Sequence, residues 1–222
     1  MFEIEPISTF ELILKGIFIG IIVSAPMGPV GILCIRRALK KGFKYGIATG
    51  LGAATSDLIY ALMTGLGMSF VMEFIHKKEN LFVLQLSGSI MLLIFGLYMF
   101  KNKPSNNFRS VTSKEKGTLL HNAVTSFLVT FSNPLIIFLF IALFARFAFV
   151  VPNHPIPMVA GFAAIYGGAM LWWFLLSYII DHIRQKFSDK YIKIFNIIIG
   201  SIVVIASLYG FATTILGLSL IE

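Results

Sequence analysis

Residues Tyr45 to Met72 read YGIATGLGAATSDLIYALMTGLGMSFVM, 28 residues between Lys44 and Glu73 whose only charge is Asp57. A helix needs about 20 consecutive apolar residues to cross the hydrocarbon core of a bilayer. A β-barrel would need short alternating segments instead. The stretch therefore predicts a transmembrane helix with an ionisable group near its middle. Five more stretches predict the same. From Leu12 to Ile35 the only charge before Arg36 is Lys15, and Asn80 to Phe100 is uncharged. The others lie between Lys116 and Arg146, between Pro157 and Asp181, and from Ile194 to Ile221.

Composition agrees. Of 222 residues, 57% are hydrophobic and 13% charged, and the mean hydropathy is +0.88. Soluble domains run at about 45–50% apolar and about 25% charged. A disordered chain, a disulfide scaffold and most soluble enzymes are excluded. The single cysteine, Cys34, excludes an internal disulfide, a CxxC redox pair and a thiolate metal site. Glu3, Glu5 and Glu11 flank the first span, where a cleavable signal peptide would carry positive charge. That span is expected to remain in the mature protein.

The net charge of +8 is a topology signal. Arg36, Arg37, Lys40, Lys41 and Lys44 follow span 1; Lys101, Lys103, Arg109, Lys114 and Lys116 follow span 3; Arg184, Lys186, Lys190 and Lys193 follow span 5. Only Lys15, Lys77, Lys78 and Arg146 fall on the other side. The positive-inside rule puts the three basic loops in the cytoplasm and both termini outside it. Charge split among three short loops argues against nucleic acid as a partner.

The long polar connection, about residues 101–117, divides one transmembrane domain (1–222) into repeats of about 1–100 and 118–222. Three offsets agree with such a repeat. Pro29 and Pro134 are 105 apart, Gly50-Leu-Gly-Ala53 and Gly161-Phe-Ala-Ala164 are 111 apart, and Gly88-Ser-Ile90 and Gly200-Ser-Ile202 are 112 apart. Three spans per half is an odd number, so the halves must be inverted about an axis in the membrane plane. The expected fold is all-α: six transmembrane helices as two inverted three-helix repeats, with spans 1 and 4 broken at proline. Transporters of this plan bind solute near the midplane, at interrupted helices.

Span 1 breaks at Ala25-Pro26-Met27-Gly28-Pro29 and span 4 at Ser132-Asn133-Pro134. Proline lacks the N–H that would serve the carbonyl four residues back. Pro26 should free the carbonyl of Ile22, Pro29 that of Ala25 and Pro134 that of Thr130. Such carbonyls cannot face lipid. Helix starts at Pro29 and Pro134 aim partial positive charge at the same region. Donors for a carboxylate beside acceptors for an ammonium suit a zwitterionic amino acid. Ser24, Thr130, Ser132 and Asn133 flank the breaks, and Gly28 allows close approach.

Asp57 lies about midway through span 2, where a carboxylate is costly and usually serves an ion, a proton or a substrate. Tyr60, one turn on, and Tyr166 and Trp172 in span 5 are weaker candidates. Arg36-Arg37 is expected to be a topology anchor. No HExxH, nucleophile elbow or P-loop occurs, so neither an enzyme nor a cofactor is expected. One Asp without intramembrane His or Glu makes a poor dehydrated divalent site.

Ala25-Pro-Met-Gly-Pro29 with Gly31-Ile-Leu-Cys-Ile-Arg-Arg37, Gly50-Leu-Gly-Ala-Ala-Thr-Ser-Asp57 with Tyr60, and Phe131-Ser-Asn-Pro134 together resemble the lysine exporter (LysE/RhtB) superfamily of bacterial amino-acid translocators. The signature here is Pro-x-Gly-Pro, and Leu135 stands where many members carry Lys. The resemblance implies export of an amino acid or related metabolite across the bacterial inner membrane, driven by an ion or proton gradient. The expected site lies between Pro26–Pro29 and Ser132–Pro134. There Asp57 either carries the coupling proton or pairs with the substrate ammonium. The rival classes are a metal-cation exporter of similar shape and a non-transporting assembly subunit. Six short spans barely enclose a pathway, which is compatible with a homodimer.

Overall fold

The computed structural model describes residues 9–26, 28–74, 78–101, 117–133, 135–149, 155–183 and 189–216. Met27, Pro134, His154, most of the 101–117 connection and both chain ends lie outside these. The described chain is helical in eight pieces: α1 (Thr9–Ser24), α2 (Pro29–Lys41), α3 (Phe43–Phe74), α4 (Lys78–Lys101), α5 (Leu119–Phe131), α6 (Leu135–Phe147), α7 (Pro155–His182) and α8 (Asp189–Ile215). The α7 helix and the Ile197–Ile215 part of α8 are each long and apolar enough to cross a membrane. The pairs α1 with α2 and α5 with α6 pass the same test as units bent by 81° and 70°, giving up to four spans. The chain is an all-helical polytopic membrane protein.

Its polarity is turned inside out. Leu66, Phe174, Leu175, Tyr178, Ile205, Leu208 and Tyr209 are exposed, while Thr49, Ser56, Asp57, Asn122, Ser126 and Ser177 are buried. An apolar exterior of this extent needs lipid or protein against it.

Local chemistry sets the corners. Gly42 takes φ +93° and its N–H bonds the carbonyl of Ala38, so α2 turns straight into α3. That φ favours glycine, which has no Cβ to clash. At α5 the Thr118 side chain accepts the His121 N–H at 3.2 Å, an ordinary N-cap.

Hydrophobic driving force does not operate between helices in lipid, so small residues that let backbones approach do the packing. On α1, Gly16 and Gly20 face α7. A Cβ at Gly16 would lie 2.5 Å from the Gly161 carbonyl oxygen, and one at Gly20 would overlap the Ile165 carbonyl. The paired positions rise together, so α1 and α7 run parallel. Gly46 faces Ser177, Gly50 faces Trp173 and Gly65 faces Phe162, so α3 and α7 run antiparallel. The Ser126 hydroxyl donates to the Thr49 carbonyl at 2.7 Å, and Phe131 meets Tyr60, so α3 and α5 run parallel. Helix α4 packs on α8 and α6. Phe140, Phe144 and Phe149 fill a core with residues of α1 and α7; Cys34, Ile35 and Trp173 fill a second among α2, α3 and α7.

Replacing Gly20 with Ala is expected to lower the melting temperature of the purified protein, because overpacking against backbone costs about 1–3 kcal/mol. At Gly167, on α7, an added Cβ meets nothing within 4 Å. There Gly167→Ala should leave stability unchanged or raise it by up to about 1 kcal/mol. Equal effects at both positions would contradict this packing.

Candidate functional site

At the first break, the Ala25 N–H still reaches the Ile21 carbonyl at 2.9 Å. Pro26 cannot continue the ladder, and α1 ends at Ser24. Pro29 opens α2 at the first helical position, where a missing N–H costs nothing and the fixed φ already fits. Gly28 is the N-cap in extended conformation, with no side chain capping the helix. Its N–H donates to the Pro26 carbonyl at 2.8 Å and its carbonyl accepts from Ile32 at 3.1 Å. A Cβ at Gly28 would meet nothing within 4 Å, so open space borders this helix start.

At the second break, α5 ends at Phe131 and α6 begins at Leu135. The Asn133 side-chain oxygen accepts the Leu135 N–H at 3.2 Å, capping α6 in place of a fourth backbone partner. Ser132 is exposed and its hydroxyl folds back onto the Leu128 carbonyl at 2.8 Å. The Asn133 N–H donates to the Thr130 carbonyl at 3.0 Å. The expectation that Pro134 leaves this carbonyl free is therefore corrected: the chain closes a short turn on it. Pro134 itself lies outside the described residues.

Both breaks are tied to one helix. Asp57, buried in α3, accepts the Ser24 hydroxyl at 3.1 Å on Oδ2. Ser24 is the last residue of α1, so the carboxylate is fastened to the first break. One turn on, the Tyr60 hydroxyl donates to the Phe131 carbonyl at 2.5 Å, and the two rings stack with centroids 5.4 Å apart. That carbonyl belongs to the last residue of α5, where the ladder stops. Residues 57 and 60 lie on neighbouring positions of one helix face. The structure thus brings together Ser24, Asp57, Tyr60 and the end of α5. Tyr166 and Trp172, by contrast, are partly buried and packed on the hydrophobic clusters of α7.

A polar seam continues from this point. Thr49, Ser56, Tyr60 and Thr64 are buried on α3, and Asn122, Ser126 and Thr130 recur every fourth residue on α5. The spacing puts each set on one face, and the apolar rank-and-file around them hides it in a hydropathy trace. Arg37 ends the seam. It is buried, and it donates to the Thr49 hydroxyl at 3.1 Å, the Asn122 carbonyl at 2.8 Å and the Thr125 hydroxyl at 2.6 Å. The reading of Arg37 as a plain topology anchor is corrected: it is an internal tie between α2, α3 and α5. Nothing in the Arg-Arg pair distinguishes the tied residue, but its position one helical turn after Cys34 does place it on the buried side. Among the described residues no three His, Cys, Asp or Glu side chains gather as a metal site.

The family model described as LysE type translocator matches residues 21–213, which takes in both breaks and the polar seam. The chain is 27% identical over 207 residues to YcgF of Bacillus subtilis (strain 168), provisionally named an amino acid efflux protein. That match covers 90% of this chain and 96% of the relative. No solved structure matches. A membrane protein with buried polar seams, two broken helices and a family match over residues 21–213 belongs to the LysE type translocators, a family of membrane exporters.

Proposed function

We propose that this protein exports an amino acid across the bacterial inner membrane in exchange for protons, using Asp57 as the shared binding group. The observation that carries this is the Asp57–Ser24 contact, which sets a buried carboxylate against the broken end of α1. The substrate ammonium would pair with Asp57. Its carboxylate would take the start of α2, where free N–H groups and the helix dipole favour an anion. Lack of a side-chain cap on α2 and the open space at Gly28 support that seat.

Carbonyls at the breaks are poorer ammonium ligands than the bare sequence suggests. Those of Pro26, Thr130 and Phe131 accept bonds from Gly28, Asn133 and Tyr60. This favours the carboxylate as the ammonium partner. Exchange follows from the same group. Moving an uncompensated charge through a low-dielectric bundle is costly, so the site would cross carrying either an ammonium or a proton.

The proposed architecture is six spans in two inverted halves. The contact register supports it. Gly16 lies against the start of α7, Ser24 meets Asp57, and Cys34 meets the Gly46 carbonyl. The bent α1–α2 pair thus descends the length of α3 as one broken span. In the other half, Ser126 meets Thr49, Phe131 meets Tyr60 and Phe144 approaches the Gly65 position. The α5–α6 pair thus ascends. Exchanging the halves swaps the α1–α7 packing with α5–α3 and maps α3–α7 and α4–α8 onto themselves, all packed pairs. Helix α4 against α6 has no counterpart of similar extent between α8 and α2 among the described residues.

Two experiments test this. A cysteine placed at position 3 or 221 in a Cys34→Ala background should label from outside intact cells with an impermeant maleimide. Labelling only after the cytoplasmic face is exposed would overturn the topology. In proteoliposomes, Asp57→Asn should weaken substrate binding about 10- to 150-fold, the worth of a charge-assisted hydrogen bond of about 1.5–3 kcal/mol. It should also abolish export driven by a pH gradient. Wild-type affinity and wild-type net export in this variant would defeat the proposal.

A further inference from the structure

We infer that Ser56 and Thr130 complete, with Asp57, a seat for a primary ammonium, so that the exported solute must carry an unsubstituted amino group. The inference rests on the amino-acid reading above and names the substrate class within it.

Helical serines and threonines usually return their hydroxyls to the carbonyl a turn earlier. Thr49, Thr55, Thr125 and Ser132 do so here, at 2.8–2.9 Å. Ser56 and Thr130 do not. Their side chains are 0% and 3% exposed, and neither hydroxyl oxygen has a hydrogen-bond partner. Buried polar groups are nearly always satisfied, so a pair that declines even the local bond marks a place where something else is bound.

Register puts the two hydroxyls opposite each other. Ser56 is one turn past Gly52 and one turn before Tyr60. A Cβ at Gly52 would run into Ala123 and Ser126 of α5, and Tyr60 bonds Phe131 of α5. Ser56 therefore lies on the face of α3 turned to α5. Thr130 is one turn past Ser126, whose hydroxyl reaches the Thr49 carbonyl of α3. Thr130 therefore lies on the face of α5 turned to α3, just before the Phe131 contact. Along the α3–α5 contact, Gly52 with Ser126 lies on one side of the two hydroxyls and Tyr60 with Phe131 on the other. Asp57 follows Ser56 in the chain, and its Oδ2 accepts the Ser24 hydroxyl.

The chemistry of this set is specific. It offers three oxygens and no cation of its own. A primary ammonium has three N–H donors, one each for Asp57 Oδ1, Ser56 Oγ and Thr130 Oγ1. A secondary ammonium has two and places carbon where the third would be, and a quaternary one has none. At least one of the three oxygens would be left unpaired, which penalises such ligands, as sites built for hydrogen bonding do.

The test uses the full chain in proteoliposomes. Counterflow of labelled neutral L-amino acids is measured with each parent and its N-methyl derivative as competitors. In the wild type the N-methyl derivative should compete about tenfold or more weakly. Ser56→Ala and Thr130→Val should each weaken the parent about tenfold and cut the discrimination to about threefold or less. Ser56→Thr and Thr130→Ser, which keep the hydroxyl, should restore it. A role in folding alone would change melting temperature without changing the ratio of parent to derivative. N-methyl derivatives competing as well as their parents in the wild type would overturn the inference while leaving amino-acid export standing. So would an unchanged ratio in both hydroxyl-deleted variants. Absence of counterflow for every amino acid would overturn the export reading and this inference together.

Discussion

A broken helix leaves backbone groups that need other partners, and this protein breaks two. The structure depends on how α3 meets that demand. Tyr60 donates to the backbone carbonyl at the end of α5, and Asp57 takes the Ser24 side-chain hydroxyl at the end of α1, which fixes where that break sits. Each unsatisfied group in hydrocarbon costs several kcal/mol, so the breaks are held where α3 can serve them. A helix carrying both contacts within one turn also makes the two breaks neighbours. That is what turns a pair of kinks, one in each half, into a candidate site.

The remaining packing keeps α3 in place. Glycines at the crossings of α1 with α7 and of α3 with α7 let backbones approach more closely than any side chain would allow. Where soluble proteins gain from burying apolar surface, a bilayer offers little such gain between helices. Polar contacts then take a larger share of the specificity. Arg37, tied to α3 and α5 from α2, joins the two halves of the chain at the end of the seam opposite Tyr60. About 12 Å of α3 separates Thr49 from Asp57, by the rise of 1.5 Å per residue. The buried cation and the buried carboxylate are thus distinct stations along one polar seam.

Much of this was legible in the sequence because it is local. Proline interrupts the helix that runs into it, so the ends of α1 and α5 could be placed to within a few residues. Runs of apolar residues marked the helices, and a lone Asp within one of them marked a candidate site. What could not be read were partners made by the fold. Tyr60 gave no sign that its hydroxyl reaches Phe131, and the Thr130 carbonyl gave none that Asn133 would turn back to it. Arg37 looked like its neighbour Arg36, because burial of one of two adjacent arginines is decided by helix rotation. Gly16 and Gly20, spaced for close helix contact, did carry a sequence signal, and their facing residues on α7 did not. Ser56 escaped notice because a serine in an apolar helix ordinarily satisfies itself.

Helix α3 couples the two breaks in this reading, so that neither behaves independently of the other. A double-mutant cycle on counterflow affinity tests it most directly, with Ser24→Ala loosening the first break and Tyr60→Phe loosening the second. The double variant should depart from the sum of the single effects by about 0.5–3 kcal/mol, as coupled sites do. Strict additivity of the two substitutions would contradict it.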